Sequence, residues 1–154
     1  MELNIKRQRS GFSLVELVVT LMIVSVLGAL AMPSYRDHQD NVNMALALVD
    51  MRRIANALEV YFIDNNAWPP SLTEIGMDGL RDPFGNPYVF VGFDENTASA
   101  DKRKDANLNP VNSDYDLYSV GKDGDTSRNF NASNARDDIV RANDGQFYGF
   151  AEDY

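Results

Sequence analysis

Two groups of residues in this chain carry chemical potential beyond folding it. The first is Glu16, the one charged side chain between Phe12 and Met32. A carboxylate near the start of a hydrocarbon span costs roughly 2–3 kcal/mol unless it is paired, neutralised or able to reach water at the interface. The second is a set of aspartates on Gly- and Asn-rich sequence, Asp123-Gly124-Asp125 and Asp137-Asp138. Such clusters either hold a hard cation or face water in an ordinary Asp-Gly turn. An EF-hand begun at Asp123 fails, because Arg128 takes the glycine position and Asn134 that of the bidentate glutamate.

Catalysis finds little support. The chain has no cysteine, and His38 has no nearby partner to make a metal set, so it reads as a solvated surface residue. No nucleophile elbow or phosphate loop is present. Adjacent acids such as Asp137-Asp138 are poorly placed to bracket a substrate bond. The chain reads as a non-enzyme. The sequon Asn131-Ala132-Ser133 is easily met by chance in Asn-rich sequence and receives no role.

The elements that must position these residues follow from length and patterning. With 154 residues the chain has room for one modest domain and one long helix. From Asp94 to Tyr154 there are 13 acidic and 7 basic side chains, a net of −6 out of the chain's −9. That surface repels phosphate backbones, so no nucleic acid partner is expected. Without disulfides, a loop-rich C-terminal half needs another staple, for which a structural metal is the usual substitute.

The segment up to Gly11 is basic, with Lys6, Arg7 and Arg9 against Glu2. Basic residues before a span hold that end in the cytoplasm, so the rest is expected to be exported. The apolar run from Phe12 is long enough to cross a bilayer as a helix of about 20 residues. Pro33 is expected to kink or locally break that helix. The stretch Arg9-Ser10-Gly11-Phe12-Ser13-Leu14-Val15-Glu16-Leu17 resembles the prepilin signature of type IV pilins and type II secretion pseudopilins. The resemblance implies cleavage between Gly11 and Phe12 by a membrane aspartyl peptidase that also methylates the new Phe12 amine. It leaves Glu16 as the fifth mature residue. A new cationic terminus and a lone carboxylate inside lipid would neutralise each other between neighbouring subunits, giving registry rather than much net stability.

Beyond Pro33 the pattern becomes amphipathic. Met44, Leu48, Met51, Ala55, Leu58 and Phe62 step by four and three, and Val42, Leu46, Val49, Ile54 and Tyr61 widen the face. This stripe is expected to pack against the globular part. Asp64-Asn65-Asn66 ends the helix, Ser71-Leu72-Thr73-Glu74 opens a short helix stopping at Gly76, and residues 82–87 form a turn. Strands are expected at Tyr88–Phe93, Asp116–Val120 and Gln146–Ala151, with a long hairpin loop from Asp94 to Ser113.

Two further stretches look like the major pseudopilin of type II secretion: Asp82-Pro83-Phe84-Gly85-Asn86-Pro87-Tyr88, and Asp116 to Asp125 followed by Asp137-Asp138-Ile139. In that family the corresponding loop wraps a structural calcium ion. The resemblance implies carboxylates from Asp123, Asp137 and Asp138, and carbonyl oxygens from Val120 and Asp125. Thr126 to Arg136 is longer than the family's link, which bears most on Asp125.

The expected fold is α+β: a long N-terminal helix, transmembrane in its first half and amphipathic in its second, packed on a small antiparallel sheet with a metal-binding loop. Its divisions are a cleaved leader at 1–11, a membrane and assembly helix at 12–34, the amphipathic half at 35–63 and a head at 64–154. The resemblance implies a single-pass inner-membrane protein with a periplasmic head, assembled into a periplasm-spanning or extracellular filament. Its partners would be copies of itself, other pseudopilins, the prepilin peptidase and an inner-membrane assembly platform. The function implied is a structural subunit of a type II secretion pseudopilus, which helps move exoproteins across the outer membrane. The alternative is a (minor) pilin of a type IV pilus. A bulky residue at Gly11 is expected to leave the full-length precursor in the membrane, visible as an unshifted band on immunoblots.

Overall fold

A single helix, α1, runs from Leu14 to Asn65. Its start has a local cause: the Ser13 hydroxyl accepts the Glu16 N–H at 3.3 Å, and the Ser13 carbonyl accepts from Leu17. Glu16 thus sits in the first turn, where a carboxylate complements the exposed N–H groups. The end is as expected. Asn66 turns left-handed at φ 54°, its N–H reaching the Phe62 carbonyl, and the Asn65 amide caps the Tyr61 carbonyl at 2.9 Å.

The computed structural model describes residues 11–154, except for the side chains of residues 31–34, 36 and 37. The basic leader, with Lys6, Arg7 and Arg9, lies outside the described residues, as does the Pro33 side chain. The helix is nevertheless continuous through position 33, so the expected break does not occur there. A proline removes one main-chain donor, and the flanking turns still carry theirs.

The chain divides into two compact units, Met1–Gln39 and Asp40–Tyr154. In the first, every residue from Gly11 to Leu30 is exposed. Its few hydroxyls bond to the helix itself: Thr20 to the Glu16 and Leu17 carbonyls and Ser25 to the Leu21 carbonyl. Among the described residues no helix is long and apolar enough to cross a membrane. Within the apolar run the described side chains end at Leu30, so the expected crossing from Phe12 to residue 34 extends past them.

The second unit carries a four-stranded antiparallel meander, β1 (Val89–Gly92), β2 (Tyr115–Ser119), β3 (Ile139–Ala142) and β4 (Phe147–Phe150), in that spatial order. Register pairs Val89 with Tyr118, Ser119 with Ile139 and Ile139 with Phe150. One face of the sheet buries Leu117 and Ile139 with Ala47, Met51, Ile54, Ala55 and Leu58 of α1. A second cluster joins Val140 and Ala142 to Val111, Phe130 and Ala151. Alternation along β3 separates the two clusters, because adjacent side chains point to opposite faces.

The two long loops pair with each other: Lys104 N–H donates to the Arg128 carbonyl and Phe130 N–H to the Lys104 carbonyl, both at 3.0 Å. The segment from Asp94 to Ser113 does connect two antiparallel strands, as expected. Ser71 accepts from the Thr73 N–H, and the short 3-10 turn Leu72–Ile75 stops at Gly76 with φ 68°.

Two expectations need correction. Strand β3 was not anticipated, because four residues interrupted by Arg141 give almost no periodic signal. The apolar face of α1 is also narrower than the sequence suggested. Val42, Leu46 and Val49 are 40%, 55% and 66% exposed, whereas Ala47 is fully buried. A four-stranded sheet covers only the stripe through Met51, Ile54 and Leu58. Leu58→Ala should therefore destabilise the fold by about 2–5 kcal/mol, measurable as a lower urea midpoint, whereas Leu46→Ala should change it little.

Candidate cation loop and its ion pair

The residues assigned to calcium by resemblance sit on the connection between β2 and β3 and at the entry to β3. Val120 directly follows β2 and is half-buried. Asp137 turns back over the loop: its Oδ2 accepts the N–H groups of Lys122 at 2.8 Å and Asp123 at 3.1 Å. This contact explains Gly121. Its φ is 69°, and a Cβ there would lie 2.4 Å from the Asp137 carbonyl oxygen and 2.6 Å from Oδ2. Asp123 is exposed and accepts the Asp125 N–H at 2.9 Å in a local turn. Asp125 is also exposed; the Asn134 amide and the Thr126 N–H hold its carboxyl below the usual carboxylate range.

Asp138 points inward. Its side chain is 0% exposed, and its Oδ2 accepts from Arg103 Nη2 and from the Thr126 hydroxyl, each at 2.5 Å. Burial pushes the Asp138 carboxyl up to about 6, with the Arg103 guanidinium and the Thr126 hydroxyl pulling against that rise. The carboxyl faces the full positive charge of Arg103.

Arg103 is held from several sides. Nη1 donates to the Thr126 hydroxyl at 3.2 Å and Nη2 to the Ser127 carbonyl at 3.0 Å. Its guanidinium lies 4.1 Å from the Tyr118 ring centre and 4.9 Å from that of Phe130. Its own N–H donates to Asp116 Oδ2 at 2.7 Å, while Asn112 donates to Asp116 Oδ1 at 2.9 Å. Burial raises the Asp116 carboxyl above its ordinary value, against those two donors. Two buried atoms of the pair, Arg103 Nε and Asp138 Oδ1, have no hydrogen-bond partner.

A second buried arginine staples the other end of the sheet. Arg141, inside β3, makes a two-pronged contact with Asp114 at 2.8 and 2.6 Å and lies 3.9 Å from the Tyr115 ring centre. The turn at residues 82–87 is fastened to the loop as well. Ser119 donates to Asp82 Oδ2 at 2.5 Å, and the Asn86 amide donates to the Gly121 carbonyl at 2.8 Å.

Calcium needs about 6–8 oxygens around one point. As folded here, the assigned carboxylates do not converge on one point. Asp137 is committed to two N–H groups, Asp123 and Asp125 face solvent, and Asp138 is turned toward Arg103. Among the described residues no three His, Cys, Asp or Glu side chains converge on a metal position. The buried Asp138 Oδ1 is the one orphaned carboxylate oxygen here, and alone it makes no site.

Arg103, Asp116 and Thr126 were absent from the sequence-based candidates. Arg103 stands in a basic triplet, Lys102-Arg103-Lys104, within polar sequence, and nothing in that triplet marks its middle member as buried. His38 is exposed, as read from the sequence. Gly121→Ala should cost more than about 2 kcal/mol, combining a strained backbone with a direct clash, and should lower the urea midpoint accordingly.

Comparison with known proteins places this arrangement in a family. The model of the prokaryotic N-terminal methylation motif matches residues 6–32. Type II secretion system core protein G of Pseudomonas aeruginosa is 33% identical over 131 residues, covering 77% of this chain and 87% of that protein. The core protein G of Escherichia coli K12 is 27% identical over 141 residues, covering 77% and 85%. A type IV major pilin protein of Neisseria gonorrhoeae is 29% identical over 81 residues, covering 53% and 49%. No solved structure matches. With the methylation motif at one end and relatives that span most of its length, this chain belongs to the pilin-like family that includes type II secretion core protein G.

Proposed function

We propose that this pseudopilin is stored in the inner membrane, cut after Gly11, methylated at Phe12 and then polymerised through its stem into a secretion pseudopilus. The observation that carries this reading is the bare stem. Every residue from Gly11 to Leu30 is exposed, including Leu14, Val15 and Leu30 at 80%, 68% and 71%. So large an apolar surface needs a cover, first lipid and then the stems of other subunits. Its hydroxyls are satisfied within the helix, so covering them strands no donor.

Glu16 is suited to set the stagger. Its carboxylate stands at a helix N-terminus, four residues from the amine that cleavage would create. The terminal amine of one subunit and Glu16 of the next would neutralise each other where water is scarce. Val42, Leu46, Val49 and Val60 form a second exposed apolar stripe, turned away from the sheet and available for the same packing. The head would lie on the periplasmic side, in accord with the basic leader. Extraction from the bilayer would fall to an inner-membrane platform, and maturation to the prepilin peptidase. The subunit's own role is structural, with no catalytic step.

The runner-up, a pilin of a type IV pilus, draws on the similarity to the Neisseria gonorrhoeae pilin, which covers about half of this chain. Deleting the gene separates the two: loss of exoprotein secretion with normal twitching is expected, and the reverse would favour the pilus. Mass spectrometry of the mature chain should find N-methyl-Phe12 at its start. Glu16→Ala should be processed to the same terminus yet form no filaments; wild-type filament yield from that variant would defeat the charge-pairing mechanism.

A further inference from the structure

We infer that the Arg103 guanidinium takes the place of a bound cation in the head, so that the C-terminal loops of this chain close without calcium. A carboxylate with no exposure, such as Asp138, is costly unless a positive charge or several hydrogen-bond donors hold it. The expectation from family resemblance was a divalent ion. What touches Asp138 is a guanidinium that is itself 4% exposed.

The arginine is built in rather than resting there. Thr126 and Ser127 fix its two terminal nitrogens, Tyr118 and Phe130 cover it, and Asp116 holds its main-chain N–H. By these contacts one side chain joins three parts of the chain: the loop from Asp94 to Ser113, the loop after Asp125, and the residue that opens β3. Fastening the β2–β3 connection to the sheet is the task a loop cation would perform.

Several of the neighbouring carboxylate oxygens are already engaged by the protein. Asp137 Oδ2 accepts the N–H groups of Lys122 and Asp123, which fastens the loop through main-chain donors. Asp123 Oδ1 and Asp125 Oδ1 are likewise taken by main-chain donors. A divalent ion brought to Asp138 would meet the fixed charge of Arg103, and like charges at contact distance in a poorly solvated site repel strongly.

Thermal unfolding of the full chain in detergent micelles tests this, first stripped with EGTA and then in millimolar calcium. The wild-type melting temperature should be the same in both. A rise of roughly 10 °C with calcium, the linkage expected for a specific site filled about a hundredfold above its Kd, would overturn the inference. Arg103→Gln should lower the melting temperature in EGTA by roughly 10 °C, because it leaves Asp138 buried and unpaired. An unchanged value would also overturn it. Removing both charges, in Arg103→Gln with Asp138→Asn, should recover part of that loss. A double variant no more stable than the single one would show that the two side chains do not act as a pair.

Discussion

A head without disulfides has to close its long loops by some other contact, and here much of that closure runs through the buried pair of Arg103 and Asp138. Taking two charges out of water costs several kcal/mol each, so such a pair persists only when each partner is also held by neighbours. Those neighbours are present. Thr126 bonds to both members, Ser127 and Asp116 anchor the arginine, and Tyr118 and Phe130 shield it. The loops around the pair thereby become a layer, with Phe130 and Val111 buried against Val140 and Ala142.

The same device recurs at lower depth elsewhere in the head. Arg141 grips Asp114 from within β3, Asp82 takes the Ser119 hydroxyl, and Asn86 reaches the Gly121 carbonyl. Each contact ties a turn or strand end to the sheet through a polar side chain. Carboxylates that resemblance assigns to an ion are thus engaged by the protein itself: Asp137 by main-chain N–H groups and Asp138 by a guanidinium. A strongly acidic sequence has in this way supplied internal partners for its buried acids.

The N-terminal unit obeys a different constraint. Its apolar residues are bare from Gly11 to Leu30, and the few polar atoms among them bond along the helix. Glu16 is the exception. It sits in the first turn with Ser13 capping its N–H, where the exposed N–H groups of the helix complement a carboxylate.

Much of this architecture was legible in the sequence because its signals are local. The uncharged run after Phe12, the Gly-Phe junction with Glu16 four residues on, the three-and-four spacing from Met44 to Phe62 and the turn chemistry of residues 71–76 and 82–87 each span a few turns of chain. Those determined the helix, the stem and the family, and short apolar segments between turns marked three of the four strands. What only the tertiary structure decided lies across long separations. Arg103 meets Asp138 35 residues away, and Asn86 meets Gly121 at the same separation. Strand β3 exists because its neighbours flank it, and the exposed side of α1 is exposed because the sheet is narrow. An aspartate beside another aspartate looks alike whether it will hold an ion, a backbone or an arginine; the choice is made by what the fold brings to within 3 Å of it.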